Sequence, residues 1–249
     1  MHIYIYDNYL NEKKYQPLLA KIETRITDLG LNGKIIRLGV MNSIYNAIEN
    51  ELKKGAKTII AVGNDNLLNQ VINSIIKSNT DNKTNIIPIG FIPVGKKNNE
   101  LAKFLGIELE ENACDILSAR RVKQLSLGKI NNLFFLFNVS ITTKDTIINI
   151  DKDFSIEIKK EGIINIINTS LENRETDINS SLELLIQTNN SGLFKTNKSE
   201  QSHFKFKHLA LINKKSSAVI DNSMEVPTPV EISLGKEKIN LIVGKNRFF

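Results

Sequence analysis

The feature that most constrains this chain is a change of hydrophobic period repeated four times in its first half. Short apolar runs at residues 2–6, 34–38, 57–62 and 86–92 fit buried strands and alternate with stripes at three-to-four spacing. Leu18, Leu19, Ile22, Ile26 and Leu29 form the first stripe, opened by Pro17 and stopped by Gly30. Ile44, Ile48 and Leu52 form the second, closed by Gly55. Leu67, Leu68, Val71, Ile72, Ile75 and Ile76 line the third, and Leu101, Phe104 and Leu105 the fourth. Proline fits the first helical turn, where its missing N–H has no partner to lose, and glycine suits the residue past the last. Strand–helix alternation of this kind predicts a Rossmann-like parallel α/β sheet domain over residues 1–122, with 111–121 adding a short helix. Ligands of such sheets gather beyond the carboxyl ends of the strands, here just after Tyr6, Val62 and Ile92.

Beyond about Val122 the period falls to two. Phe154, Ile156 and Ile158 alternate with Ser155 and Glu157, and Leu182, Leu184 and Ile186 repeat the pattern. Phe204 and Phe206 do so with Lys205 and Lys207, then Val230, Ile232 and Leu234, then Ile239, Leu241 and Val243. Half-buried strands of this type predict an antiparallel β-sandwich domain over residues 123–249. The polar stretches 169–181 and 188–202 read as exposed loops.

Several function classes are disfavoured at once. The 41% apolar and 24% charged content is that of an ordinary globular protein, not of a disordered tail. A single cysteine, Cys114, rules out an internal disulfide and a thiolate metal cluster. The most apolar stretches, 86–94 and 133–141, fall far short of the roughly 20 residues a bilayer-spanning helix needs. No basic segment followed by an apolar run opens the chain, so the expectation is a cytoplasmic protein without a transmembrane segment. The formal charge of +6 is spread along the chain, which fits solubility better than a nucleic-acid surface. His2, His203 and His208 have no metal-ligand spacing, and neither a Gly-x-Ser-x-Gly elbow nor a Walker lysine motif is present.

Two strand-to-helix loops carry the remaining chemistry. Val62-Gly63-Asn64-Asp65-Asn66-Leu67-Leu68-Asn69-Gln70-Val71 leaves a strand and enters a helix, where free backbone N–H groups suit a phosphate. Asn and Asp also cap helices by accepting those same N–H groups, so a cap and a phosphate site are both open readings. Pro93-Val94-Gly95-Lys96-Lys97-Asn98-Asn99 repeats the logic after the next strand, and two such turns on neighbouring strands share one rim. Asn8, at the end of the first strand, is either a nucleotide contact or an ordinary turn residue.

This ordered set resembles the diacylglycerol kinases and related lipid kinases. They carry Gly-Gly-Asp-Gly-Thr-Leu-Asn-Glu-Val at the first loop and Pro-Leu-Gly-Thr-Gly-Asn-Asp, then Leu-Gly-Ile, at the second. Here the second is followed by Leu105-Gly106-Ile107. Ser126-Leu127-Gly128-Lys129-Ile130-Asn131 with Phe134-Phe135 is similar to the family's Asp-Leu-Gly-(basic)-Val-Asn-Gly-x-Tyr-Phe. Val219-Ile220-Asp221-Asn222-Ser223 is similar to its Asp-Gly-Glu turn, and the likeness is thinnest between 141 and 202, where the family builds much of its lipid site.

The resemblance implies transfer of the ATP γ-phosphate to a lipid hydroxyl with Mg²⁺, the lipid being met at a membrane surface. It places Asp65 at the catalytic centre and Asn8, Gly63, Asn64, Asn66, Asn69, Gly95, Lys96, Lys97 and Asn98 around the nucleotide, with Asp221 in the metal network. Departures cut against that chemistry. Asn64 and Asn66 replace glycines, and asparagine tolerates the positive φ such turns often need. Leu67 replaces a threonine, Lys96 and Lys97 replace Thr and Gly, and Ser223 falls where the family has its glutamate. Loss of a general base costs about two to four orders of magnitude in rate. The rival expectation is a non-catalytic binding or regulatory protein on the same scaffold; a polyphosphate-dependent or NAD-kinase-like enzyme is a third.

Overall fold

The computed structural model describes residues 1–39, 43–82, 87–95, 97–151, 154–169, 182–188 and 200–249. The chain divides into two compact units, one of residues 1–125 and 238–249 and the other of 126–237. The first unit ends close to the expected boundary at 122. The expectation that everything after 123 belongs to the second domain is corrected for the last stretch, 238–249, which folds with the first unit.

In the first unit β1 (His2–Tyr6), α1 (Gln16–Asp28), β2 (Gly33–Arg37), α2 (Ile44–Lys53), β3 (Thr58–Gly63), α3 (Asp65–Asn82) and β4 (Pro88–Pro93) succeed one another. Two short helices follow, α4 (Glu100–Phe104) and α5 (Ala113–Ala119). The strands lie in the order β2-β1-β3-β4, all parallel, with Tyr6 beside Val62 and Gly63 beside Pro93. Every residue of β3 is buried, as a central strand covered on both faces requires. β2 is the edge strand and is largely exposed, which suits its Lys34 and Arg37. Behind it, the buried Glu51 of α2 accepts from Lys34 Nζ at 2.6 Å and from Lys54 Nζ at 3.2 Å. Those contacts, the Lys34 hydrogen bond first, hold its carboxyl below the ordinary glutamate range.

The second half is β throughout: β5 (Val122–Ile130), β6 (Leu133–Phe135), β7 (Asn138–Thr142), β8 (Thr146–Ile150), β9 (Phe154–Ile158) and β10 (Gly162–Asn168) come first. Then come β11 (Leu182–Thr188), β12 (Glu200–Phe206), β13 (His208–Asn213), β14 (Ala218–Ile220), β15 (Met224–Val226) and β16 (Val230–Ile242). In the second unit the first part of β16 continues through β13 and β8 to β9, and a six-stranded sheet runs β12-β11-β10-β7-β14-β15. Ile148, Ile150, Leu209, Leu211 and Ile232 from one sheet share a core with Val139, Ile164, Ile166, Leu184 and Ile220 from the other. That is the expected antiparallel sandwich. The two apolar runs at 230–234 and 239–243 are one strand, not two; its end returns to the first unit, where Asn240 and Leu241 pair with Pro88 and Ile89 in parallel. The loop expected at 188–202 is narrower, since Thr188 closes β11 and residues 200–202 open β12; 189–199 and 170–181 lie outside the described residues. Among the described residues no helix is long and apolar enough to cross a membrane.

Candidate nucleotide rim and the family it identifies

The carboxyl ends of β1, β3 and β4 meet on one rim of the first unit. Asp7 N donates to Val62 O at 3.0 Å, Val94 N to Gly63 O at 2.7 Å, and Tyr9 Oη to Val94 O at 2.8 Å. The three segments read from sequence are therefore brought together.

What the rim does with its amide groups is decided by the asparagine and aspartate at the start of α3. Asn64 accepts from Leu67 N at 3.1 Å through Oδ1 and from Leu68 N at 3.2 Å through its carbonyl, which makes it the N-cap of the helix. Neither Asn64 nor Asn66 is at positive φ, so the two asparagines sit in place of glycine without backbone strain; Asn98 is the asparagine that adopts it, at φ 60°. Asn66 Oδ1 accepts from Gln70 Nε2 at 3.3 Å along the helix. Asn69 is wholly buried on the same helix.

Asp65 is 1% exposed. Its amide donates to Asn98 O at 2.9 Å, and its Oδ2 accepts from Leu101 N at 3.0 Å. One residue thus ties the β3–α3 turn to the β4–α4 loop and serves the first turn of α4, whose own Asn99 side chain donates instead to Gly95 O at 2.5 Å. This buried carboxylate is a joint between the two loops.

Gly63 supplies the remaining test. A Cβ added there would lie 2.9 Å from Leu67 Cδ2, 2.9 Å from Asp7 Cβ and 3.2 Å from Asp7 Oδ2. The side of the glycine where a Cβ would stand is therefore occupied by a leucine, itself 2% exposed, and by a carboxylate. Burial pushes the Asp7 carboxyl up, against the hydrogen bonds from the Asn8 and Tyr9 amides. Asp7 is the residue that the sequence reading passed over. Its signal was visible, an acidic residue directly after the first strand. Asn8 is exposed and accepts from Asn11 Nδ2 at 3.2 Å; Gly95, at φ 94°, and exposed Lys97 stand clear, and Lys96 lies outside the described residues.

Asp221 belongs to the second unit. Its Oδ1 accepts from Phe137 N at 2.7 Å and Asn138 N at 2.8 Å, its Oδ2 from Leu136 N at 2.8 Å, and it is 1% exposed. Three N–H dipoles aimed at one carboxylate disfavour a cation beside it. Asp221, expected in the metal network, accepts three backbone N–H groups of the 136–138 segment here. Ser223, at the position of the family's glutamate, donates its amide to Ile220 O at 2.9 Å. Among the described residues no group of three His, Cys, Asp or Glu side chains is placed to hold a metal. At the β3–α3 turn the amides of Asp65 and Leu67 are taken within the chain, and at Asp221 both carboxylate oxygens accept backbone N–H groups.

Comparison with known proteins identifies the scaffold. A diacylglycerol kinase from Bacillus anthracis str. Sterne superposes with a TM-score of 0.70 at 16% identity, covering 98% of this chain and 97% of its own. A candidate diacylglycerol kinase from the same organism gives a TM-score of 0.70 at 15% identity, over 98% and 96% of the two chains. At such identities the likeness shows the fold. Comparison with curated protein sequences gives no match. The sequence profile of the diacylglycerol kinase catalytic domain matches residues 3–130, which is 128 of the 249. With the two βα turns in their expected places on one rim, that match over half its length makes the chain a member of the diacylglycerol kinase catalytic domain family, a lipid-kinase family.

Proposed function

We propose that this family member has given up phosphate transfer and keeps the kinase scaffold for binding or regulation. Membership implies ATP and divalent-metal chemistry for lipid kinases in general. The reading for this chain rests on one observation: the face of Gly63 is occupied by Leu67 and Asp7, while the amides of Asp65 and Leu67 are spent on Asn98 and Asn64. Phosphoryl transfer is almost entirely positioning and charge neutralisation. A turn that sets a carboxylate and a leucine against Gly63 and keeps two of its amides within the chain is poorly built for either. The serine at position 223 stands where the family's late motif has its glutamate, which accords with the same reading.

The test is direct. Mg-ATP titrated into the full chain by calorimetry gives no heat of binding, and labelled ATP with vesicles of mixed diacylglycerols and related lipid alcohols gives no labelled lipid. Binding heat together with labelled lipid that disappears in Asp65→Ala refutes the proposal and restores an active lipid kinase.

A further inference from the structure

We infer that the rim is shut by a local lock of three side chains, Asp7, Asn64 and Leu67, laid over a turn whose backbone is otherwise unstrained. The inference rests on the reading above and concerns how the loss of binding is built.

Each member of the lock removes a different element of phosphate recognition. Leu67 does two things, because its Cδ2 packs 2.9 Å from the Cβ position of Gly63 while its own N–H turns back to Asn64 Oδ1 at 3.1 Å. Asn64 is the partner that holds that N–H, so an amide at the helix start is satisfied within the chain and has nothing left to give an anion. Asp7 brings a negative charge to 3.2 Å from the same Cβ position, which repels a phosphate by Coulomb's law in a partly buried setting where screening is weak. The rest of the neighbourhood is compatible with an open turn: Asn64 and Asn66 are in ordinary backbone regions, and Gly95 across the rim, at φ 94°, has nothing within 4 Å of its Cβ position. The backbone ties of the rim, among them Asp65 N to Asn98 O and Leu68 N to Asn64 O, use none of the three side chains and persist when these are changed.

A lock of this kind predicts that a few substitutions suffice to open it. Asp7→Asn removes the charge, Asn64→Gly frees the Leu67 amide, and Leu67→Thr uncovers Gly63. Sodium tripolyphosphate serves as the probe, since it carries the phosphate charge without a base or ribose. The full chain with all three changes is titrated by calorimetry beside the wild type, with near-ultraviolet circular dichroism reporting the fold. The expected result is no heat for the wild type and tripolyphosphate binding tighter by roughly tenfold or more for the triple variant, the yield of one freed charge-assisted N–H bond. Leu67→Thr alone, the mildest change, is expected to give a weaker but measurable part of that gain, and it carries the test should the triple variant not fold. Folded variants that bind no tighter than the wild type overturn the lock while leaving the non-catalytic reading intact. Binding by the wild type overturns that reading itself.

Discussion

Replacing Asp221 offers the sharpest test of the change of role assigned to this residue. Its carboxylate receives three consecutive backbone N–H groups, from Leu136, Phe137 and Asn138, at 2.7–2.8 Å. Asn168 holds the same segment as well, donating Nδ2 to Leu136 O at 2.9 Å and N to Phe137 O at 2.9 Å. Hydrogen bonds to a charged group contribute about 1.5–3 kcal/mol each. Three that share one acceptor do not add independently, so their joint loss is about 4–5 kcal/mol rather than the full sum. Asp221 is also at φ 44°, where alanine costs about 1 kcal/mol more than aspartate or asparagine. Asp221→Ala therefore removes about 5 kcal/mol, a large part of the 5–15 kcal/mol that a domain commands. Asp221→Asn keeps one acceptor oxygen and the turn conformation and loses about 2 kcal/mol. In urea, with a slope of about 2 kcal/mol per molar, the asparagine variant shifts the midpoint by about 1 M. The same titration with 5 mM-scale Mg²⁺ or with EDTA leaves the wild-type midpoint where it was, an expectation that follows from amides and not a cation facing the carboxylate. A midpoint shift below about 0.3 M for the alanine variant, or a wild-type midpoint that moves with chelator, refutes this reasoning.

Other expectations follow from the same contacts. Asp65→Ala destabilises the first unit by about 2–3 kcal/mol, because it strips Leu101 N of its buried acceptor, and accelerates amide exchange at Leu101; unchanged exchange there refutes the tie. Asn64→Ala removes the helix cap and costs about 1 kcal/mol in thermal or chemical denaturation. The two perturbed carboxyls give opposite pH signatures. Asp7 binds its proton more tightly folded than unfolded, so its contribution to stability worsens as pH rises from the ordinary aspartate range through its raised folded value; Asp7→Asn is more stable than wild type at pH 7, and the gain shrinks in acid. Glu51 is held down by Lys34, so its contribution is present above the ordinary glutamate range and is lost as pH falls through its depressed folded value; Glu51→Gln flattens that acid limb of the stability curve.

How far the sequence carried can be judged residue by residue. The run 57–62 placed β3 within a residue and the stripe from Leu67 to Ile76 located α3, which runs on to Asn82, because each pattern records which face of its own segment is withdrawn from water. The glycine and asparagine at 63 and 64 located the turn, and both readings of that turn were stated, cap and phosphate site. The side chains could not choose between them. Leu101 is 36 residues from Asp65, and whether the carboxylate faces solvent or that amide depends on how closely two loops approach. Asp221 is the same case at larger range, its three donors lying 83 to 85 residues earlier in the chain.

The sequence by itself determined the class of each half, the position of the rim and the family, since hydrophobic period and short motifs are local properties written in consecutive residues. Only the tertiary structure decided which partners the rim's side chains meet. It turned Asp65 and Asp221 inward onto backbone amides, set Leu67 and Asp7 against Gly63, and carried residues 238–249 back to lie beside β4. The physical reason is common to all of these: a polar group's role is fixed by the partner it meets, and partners distant along the chain are chosen by packing, which no local period encodes.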